Sequence, residues 1–113
     1  MGGLVVVGPV VPAGVGSNVT TPIKISVVAR EWSFTTSRQS VKLGSTVVFS
    51  IRNQGQVAHN LVFSTLGKRT PLINPGRSVT LRIVFRKRGR YPYICSIPRH
   101  AERGMAGTFF VRS

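Results

Sequence analysis

Short apolar runs that alternate with polar residues fill this chain from Ile23 onward, and they constrain its fold more than any other feature. In the clearest run, Val79, Leu81, Ile83 and Phe85 are apolar. Threonine and arginine separate the first three of them, and serine and arginine flank the run. A period of two is typical of an antiparallel strand with one buried face and one solvated face. No stretch of three helical turns shows the longer helical period, so we predict an all-β fold.

Segments with strand character recur at short, regular spacing along the chain. They cover residues 23–29, 31–35, 40–43, 47–51, 59–63, 79–85, 91–95 and 108–112. Glycine, proline, asparagine and serine separate them, and Asn74-Pro75-Gly76 is a strong turn signal. About eight short strands at this spacing predict a β-sandwich or a barrel.

The 113 residues are enough for one domain. We assign residues 21–113 to that domain and residues 1–20 to an apolar N-terminal segment, which is either a flexible arm or the remnant of a leader. Its first sixteen residues carry no charge, yet they are too short for a membrane span and contain Pro9 and Pro12. No basic stretch precedes the apolar residues, as a secretory signal would require.

The charge balance is unusual because acidic side chains are missing. Sixteen Lys and Arg residues face only Glu31 and Glu102, which gives a formal net charge of +14. A basic cluster at residues 86–90 invites a nucleic-acid interpretation, but no recognition motif accompanies it, and we expect a solvated turn instead. We therefore expect no nucleic-acid partner. Few carboxylates can lose a stabilising charge on protonation, so the composition suits an acidic environment, and it also suits contact with an anionic membrane surface.

Four residues with metal-binding side chains form the most informative pattern. Cys95, His100 and Met105 are spaced C-x4-H-x4-M in a predicted loop between two strands, and His59 begins an earlier strand. Taken singly, each would be an ordinary core or turn residue. Together they match a blue-copper site, in which two histidines and one cysteine surround the ion and a methionine binds weakly along the axis. Structural zinc fits less well, because it prefers four short Cys and His ligands.

At these residues the chain resembles the cupredoxins, over about residues 23–111. The resemblance includes Trp32-Ser-Phe34, residues 44–49, residues 53–63 and Pro75-Gly76-Arg-Ser78, and the ligand loop is most similar to that of the rusticyanin group. It implies an eight-stranded Greek-key β-sandwich with one mononuclear type 1 copper. It further implies that His59, Cys95 and His100 are equatorial ligands, that Met105 is the axial ligand, and that Asn60 braces the ligand loop. Arg99 departs from the family, in which a glycine commonly precedes the second histidine.

The same resemblance implies a single-electron carrier rather than an enzyme, working in the periplasm or elsewhere outside the cytoplasm. In this family the edge of the second histidine is the electron port. Here Ile97, Pro98 and Ala106 would surround it, with Arg99 and Arg103 beyond. We expect a monomer that docks redox proteins, such as cytochromes or a terminal oxidase, whose docking faces are acidic. Two alternatives stay open: a copper domain of a larger membrane-anchored respiratory complex, and a basic β-domain that binds nucleic acid or another polyanion.

Overall fold

The computed structural model describes residues 21–113, so the proposed N-terminal segment lies outside the described residues. Within that range the chain forms nine strands and a single-turn 3-10 helix at Ser64–Leu66. The strands are β1 Ile23–Arg30, β2 Ser33–Thr36, β3 Ser40–Lys42, β4 Thr46–Asn53, β5 Val62–Phe63, β6 Lys68–Arg69, β7 Ser78–Val84, β8 Gly89–Ile94 and β9 Ala106–Arg112.

Two mixed sheets form the sandwich. One sheet has the strand order β2-β1-β4-β7, and the other has the order β3-β9-β8-β5-β6. The pairs β1–β4 and β3–β9 are parallel, and the remaining pairs are antiparallel. The predicted all-β sandwich is therefore confirmed.

Aromatic rings from both sheets fill the space between them. The ring centroid of Phe49 on β4 lies 5.3 Å from that of Phe63 on β5 and 5.3 Å from that of Phe109 on β9. Phe85 packs against Phe109 at 5.3 Å and against Tyr91 at 5.1 Å. Burying these large side chains, together with the aliphatic residues around them, stabilises the packing of the two sheets.

The strand predictions differ from the structure in three places. The structure has one strand more than the sequence predicts, the two-residue β6. Its residues Lys68 and Arg69 are both exposed, so no apolar alternation indicates a strand there. The strand predicted at residues 59–63 is limited to Val62–Phe63, and His59 instead forms an isolated bridge with Ile73. The segment predicted from Glu31 starts as a strand only at Ser33, so Glu31 lies in the turn between β1 and β2.

Strand β8 runs from one end of the sandwich to the other. The basic residues 86–88 precede β8 at one end, and Cys95 follows it at the other. Six residues of strand span roughly 20 Å at about 3.3 Å per residue, so the basic turn is far from the ligand loop. The described part of the chain contains no helix with the length and apolar character of a membrane span.

Candidate metal centre

The ligand loop closes between two paired strands. The antiparallel register of β8 and β9 ends at Ile94 opposite Ala106, and the next residues, Cys95 and Met105, are joined by a hydrogen bond from the Cys95 amide to the Met105 carbonyl at 3.0 Å. Inside the loop, the Met105 amide donates to the His100 carbonyl at 3.1 Å. The backbone therefore holds the three loop residues at the end of a rigid hairpin.

A buried asparagine anchors the segment that carries His59. The Asn53 side-chain amide donates to the carbonyls of Val57 and Ile73, both at 2.8 Å, and its carbonyl oxygen accepts from the Gly55 amide at 2.8 Å. His59 in turn exchanges two backbone hydrogen bonds with Ile73. Because Asn53 is fully buried and all of these groups are paired, the path of the chain into His59 is well determined.

The three donor atoms converge. His59 Nδ1 lies 3.3 Å from His100 Nδ1, and Cys95 Sγ lies 3.4 Å from His100 Nδ1. All three ligand atoms lie within 4.8 Å of one another, and all three residues are buried. Donors in a trigonal plane around one ion, each ~2.0–2.3 Å from it, lie about 3.5 Å apart, so the observed spacing fits a single metal ion. Met105 is fully buried and immediately precedes β9.

Asn60 links the two parts of the chain that supply the donors. Its side-chain amide donates to Ser96 Oγ at 2.8 Å, and its side-chain carbonyl accepts from the Ser96 amide at 2.8 Å. Arg69 also donates to Ser96 Oγ, at 3.0 Å. Ser96 and Arg69 were not among the residues expected from the sequence, because no local pattern relates them to His59.

Glu31 is the main residue that sequence reasoning missed. Its carboxylate lies 2.5 Å from Nε2 of His59 and accepts a hydrogen bond from the Gln56 amide at 2.7 Å. Burial acts to raise the pKa of Glu31, but the hydrogen bonds from Gln56, His59 and Val57 outweigh it and leave the pKa below its ordinary value. One signal was available, since Glu31 is one of only two acidic residues in the chain.

His100 is the residue of this cluster nearest to the surface. It is 8% exposed, whereas His59 is fully buried, and the Trp32 ring packs edge-on against it with a centroid distance of 4.7 Å. The Arg103 guanidinium lies over Trp32 at 4.8 Å from the ring centroid. Burial, followed by the charges of His59 and Arg103, lowers the pKa of His100. The neighbouring residues expected to form the docking face include Pro98, Arg99, Arg103 and Ala106, which are exposed, and Ile97, which is half-buried.

Arg99 adopts a backbone conformation that favours glycine. Its φ is +74°, in the left-handed region, where the Cβ of an L-residue crowds the following carbonyl. Arg99 is exposed and immediately precedes His100. The arginine therefore occupies the position where the sequence departs from the cupredoxin pattern, and it does so at a backbone site that a glycine would occupy without strain.

Comparison with known proteins identifies a single family. The family model that describes the cupredoxin-like domain matches residues 13–108 of the chain. No curated protein matches the chain in sequence. The relationship to known proteins is therefore detected by the family model and by similarity of three-dimensional structure.

Several solved structures are similar to this chain. Dithionite-reduced auracyanin from Roseiflexus castenholzii has a TM-score of 0.63 at 20% identity, over 84% of this chain and 99% of that one. Auracyanin A, a blue copper protein from Chloroflexus aurantiacus, has a TM-score of 0.65 at 19% identity, over 81% and 100%. The periplasmic domain of cytochrome oxidase subunit II from Bradyrhizobium japonicum has a TM-score of 0.68 at 14% identity, over 82% and 86%. At such identities the likeness establishes the fold.

Proposed function

Since this chain belongs to the cupredoxin-like family, we propose that it is a type 1 copper protein that carries single electrons between redox partners. The observation that carries the proposal is the buried cluster of His59, Cys95 and His100, whose donor atoms lie within 4.8 Å of one another. One mononuclear copper held by these three residues, with Met105 as a weak axial ligand, is the assignment that this donor set supports best. The C-x4-H-x4-M spacing of the loop favours a site of the rusticyanin type.

Each residue has a distinct role in this proposal. Bound copper would supply a one-electron couple, Cu(II)/Cu(I). The Cys95 thiolate suits the reduced state and the imidazoles suit the oxidised state, so the mixed donor set tolerates both. The hairpin hydrogen bond between Cys95 and Met105, at 3.0 Å, holds the donors close to one arrangement in either state. Little of the protein then has to move when the electron arrives or leaves.

Electrons would enter and leave through His100. His100 is the most exposed residue of the cluster, at 8%, and its ring packs against Trp32. A reduced partner gives one electron to the site, and an oxidised acceptor later removes one, with no bond made or broken in the protein. Apolar Pro98 and Ala106 allow close approach, whereas Arg99 and Arg103 favour partners with acidic faces such as cytochromes or a terminal oxidase.

The location and oligomeric state follow from the same proposal. A soluble electron carrier of this kind works outside the cytoplasm as a monomer, and the similar domain from Bradyrhizobium japonicum is periplasmic. With only two acidic side chains against sixteen basic ones, the chain is suited to an acidic compartment.

A second candidate function is supported by the comparisons. Similar structures include the cytochrome oxidase subunit II domain and a chain of a heme-copper terminal oxidase dimer, of which this chain covers 65%. The protein would then be the copper domain of a larger membrane-anchored complex. A dinuclear copper centre does not fit, because it requires a second cysteine and Cys95 is the only one. The sequence upstream of Met1 in the genome distinguishes this candidate from a free carrier.

Copper loading tests the proposal. Titration of the full chain with Cu(II) should give one equivalent of bound metal and an intense visible band from thiolate-to-copper charge transfer, and a redox titration should fit a one-electron couple. The Cys95→Ser variant should bind Cu(II) without showing that charge-transfer band. A wild-type protein that folds, takes up Cu(II) and stays colourless would refute the type 1 assignment.

A further inference from the structure

We propose that Glu31 is a positioning residue of the metal centre, whose carboxylate accepts a hydrogen bond from the Nε2–H of His59 and increases the preference of the site for Cu(II) over Cu(I). This inference rests on the proposed copper function and deepens it. Neither the cupredoxin sequence pattern nor the local sequence assigns a role to Glu31.

The two nitrogens of His59 face different groups. Nδ1 points to the donor cluster, 3.3 Å from His100 Nδ1, whereas Nε2 lies 2.5 Å from Glu31 Oε2. A neutral imidazole has one N–H and one lone pair, so a hydrogen bond from Nε2 to the carboxylate leaves the Nδ1 lone pair directed at the metal. The ring is completely buried and the Glu31 side chain is 21% exposed, so water does not compete freely for this contact.

The chain is built around the carboxylate. The Gln56 amide donates to Oε1 at 2.7 Å, and the Val57 amide lies 3.5 Å from Oε2. Gly55 leaves the necessary space, because a Cβ there would lie 2.2 Å from Glu31 Oε2 and 2.9 Å from His59 Nε2. Residues 55–57 therefore surround the Glu31 carboxylate. Gly55, which has no side chain, lies where a side chain would displace that carboxylate.

The negative charge has a defined consequence. A carboxylate hydrogen-bonded to a ligating histidine makes the imidazole a stronger donor, and losing such a partner typically costs 10- to 100-fold in metal affinity. The more highly charged ion gains more from this donor, so Glu31 stabilises Cu(II) relative to Cu(I) and lowers the reduction potential. In a chain with sixteen basic residues and two acidic ones, one of the two acids occupies this position.

The test compares Glu31→Gln with Glu102→Gln. Both variants remove one negative charge, but Glu102 is exposed in the ligand loop and makes no side-chain hydrogen bond to a donor residue in the described structure. We expect Glu31→Gln to weaken Cu(II) binding about tenfold relative to Cu(I), which raises the potential by about 59 mV for a one-electron couple. Glu102→Gln should shift the potential by less than half as much. In the reduced wild-type protein, NMR should show a downfield, slowly exchanging Nε2 proton of His59 that is lost in Glu31→Gln.

A second variant covers the case in which Glu31→Gln does not fold. Gly55→Ala keeps every charge but pushes the carboxylate away from His59, so it should raise the potential in the same direction. Equal potentials for Glu31→Gln and Glu102→Gln, or an unchanged potential in Gly55→Ala if Glu31→Gln is unfolded, would overturn the inference. Failure of the copper function looks different, because the wild-type protein itself would then lack the charge-transfer band.

Discussion

Replacing Asn60 with alanine removes both side-chain hydrogen bonds that join the His59 segment to the ligand loop. Each of these bonds has a donor–acceptor distance of 2.8 Å, and both connect Asn60 to Ser96, which lies next to Cys95. We expect Asn60→Ala to destabilise the copper-free protein and to disturb the arrangement of the donors. The physical reason is that the two halves of the site come from segments 36 residues apart and need a direct link.

The magnitude follows from the local environment. A typical intramolecular hydrogen bond contributes about 1 kcal/mol, so two of them account for about 2 kcal/mol. Asn60 is only 4% exposed, so truncation also leaves a small void, whereas Ser96 is exposed and its freed amide can bond to water. The expected loss in the free energy of unfolding is therefore about 2 kcal/mol, which lowers Tm by roughly 10 °C for a domain of this size.

Urea unfolding of the copper-free protein measures this loss, with the m-value expected to stay constant. Ser96→Ala is the matched control, because it removes the hydroxyl that accepts from Asn60 and keeps the backbone donation to Asn60. It also removes the hydrogen bond from Arg69, but that bond is exposed to solvent and water can replace it. It should cost about half as much as Asn60→Ala. A loss below about 0.5 kcal/mol in Asn60→Ala, or equal losses in the two variants, would refute the idea that this paired contact holds the site together.

Three further predictions concern the ligand loop and its surface. Arg99→Gly relieves the strain of the left-handed backbone at φ +74°, although glycine also gives the unfolded chain more conformational freedom. The net effect should be a rise of about 0.5–1 kcal/mol in the free energy of unfolding, measured by chemical denaturation. A less stable variant contradicts the strain argument. Because the pKa of His100 is lowered from 6.5, the unfolded chain binds more protons, so stability of the copper-free protein should fall as the pH drops through about 6.5, and a flat profile between pH 7.5 and 5 would be inconsistent with this. Because the pKa of Glu31 is also lowered in the folded protein, the free energy of unfolding should decrease further below pH 4.5. Finally, electron-transfer rates with an acidic partner should decrease with ionic strength in stopped-flow experiments, and rates that do not depend on salt would refute a docking role for Arg99 and Arg103.

Several parts of the fold were predictable because their signals are local. The alternation in β7 indicates a strand with one buried face, and Ile83 is buried there while its neighbours are exposed. The Asn74-Pro75-Gly76 turn is present, with Gly76 at φ +83° and a hydrogen bond from the Arg77 amide to the Asn74 carbonyl. Steric and periodic rules of this kind act over a few residues, so they can be applied to the sequence alone.

Other parts were not predictable because they depend on contacts between distant segments. His59 stands in an isolated bridge with Ile73 rather than in a strand, because its backbone pairs with a segment from another part of the chain. The contact of Glu31 with His59 spans 28 residues, and nothing near Glu31 in the sequence indicates it. The sequence could show that an acidic residue was rare, but it could not show which group that residue faces.

The sequence by itself determined the chemistry available to this protein: one thiol, two imidazoles, one internal thioether and the spacing of three of them in a single loop. The tertiary structure decided how those groups meet, since His59 and His100 are 41 residues apart and yet lie 3.3 Å from each other at their Nδ1 atoms. It also decided that a carboxylate supports His59 and that Trp32 packs against His100. The reason is physical. Donor type is a property of each side chain, whereas donor geometry depends on strand register and loop packing, which the whole chain must fold to establish.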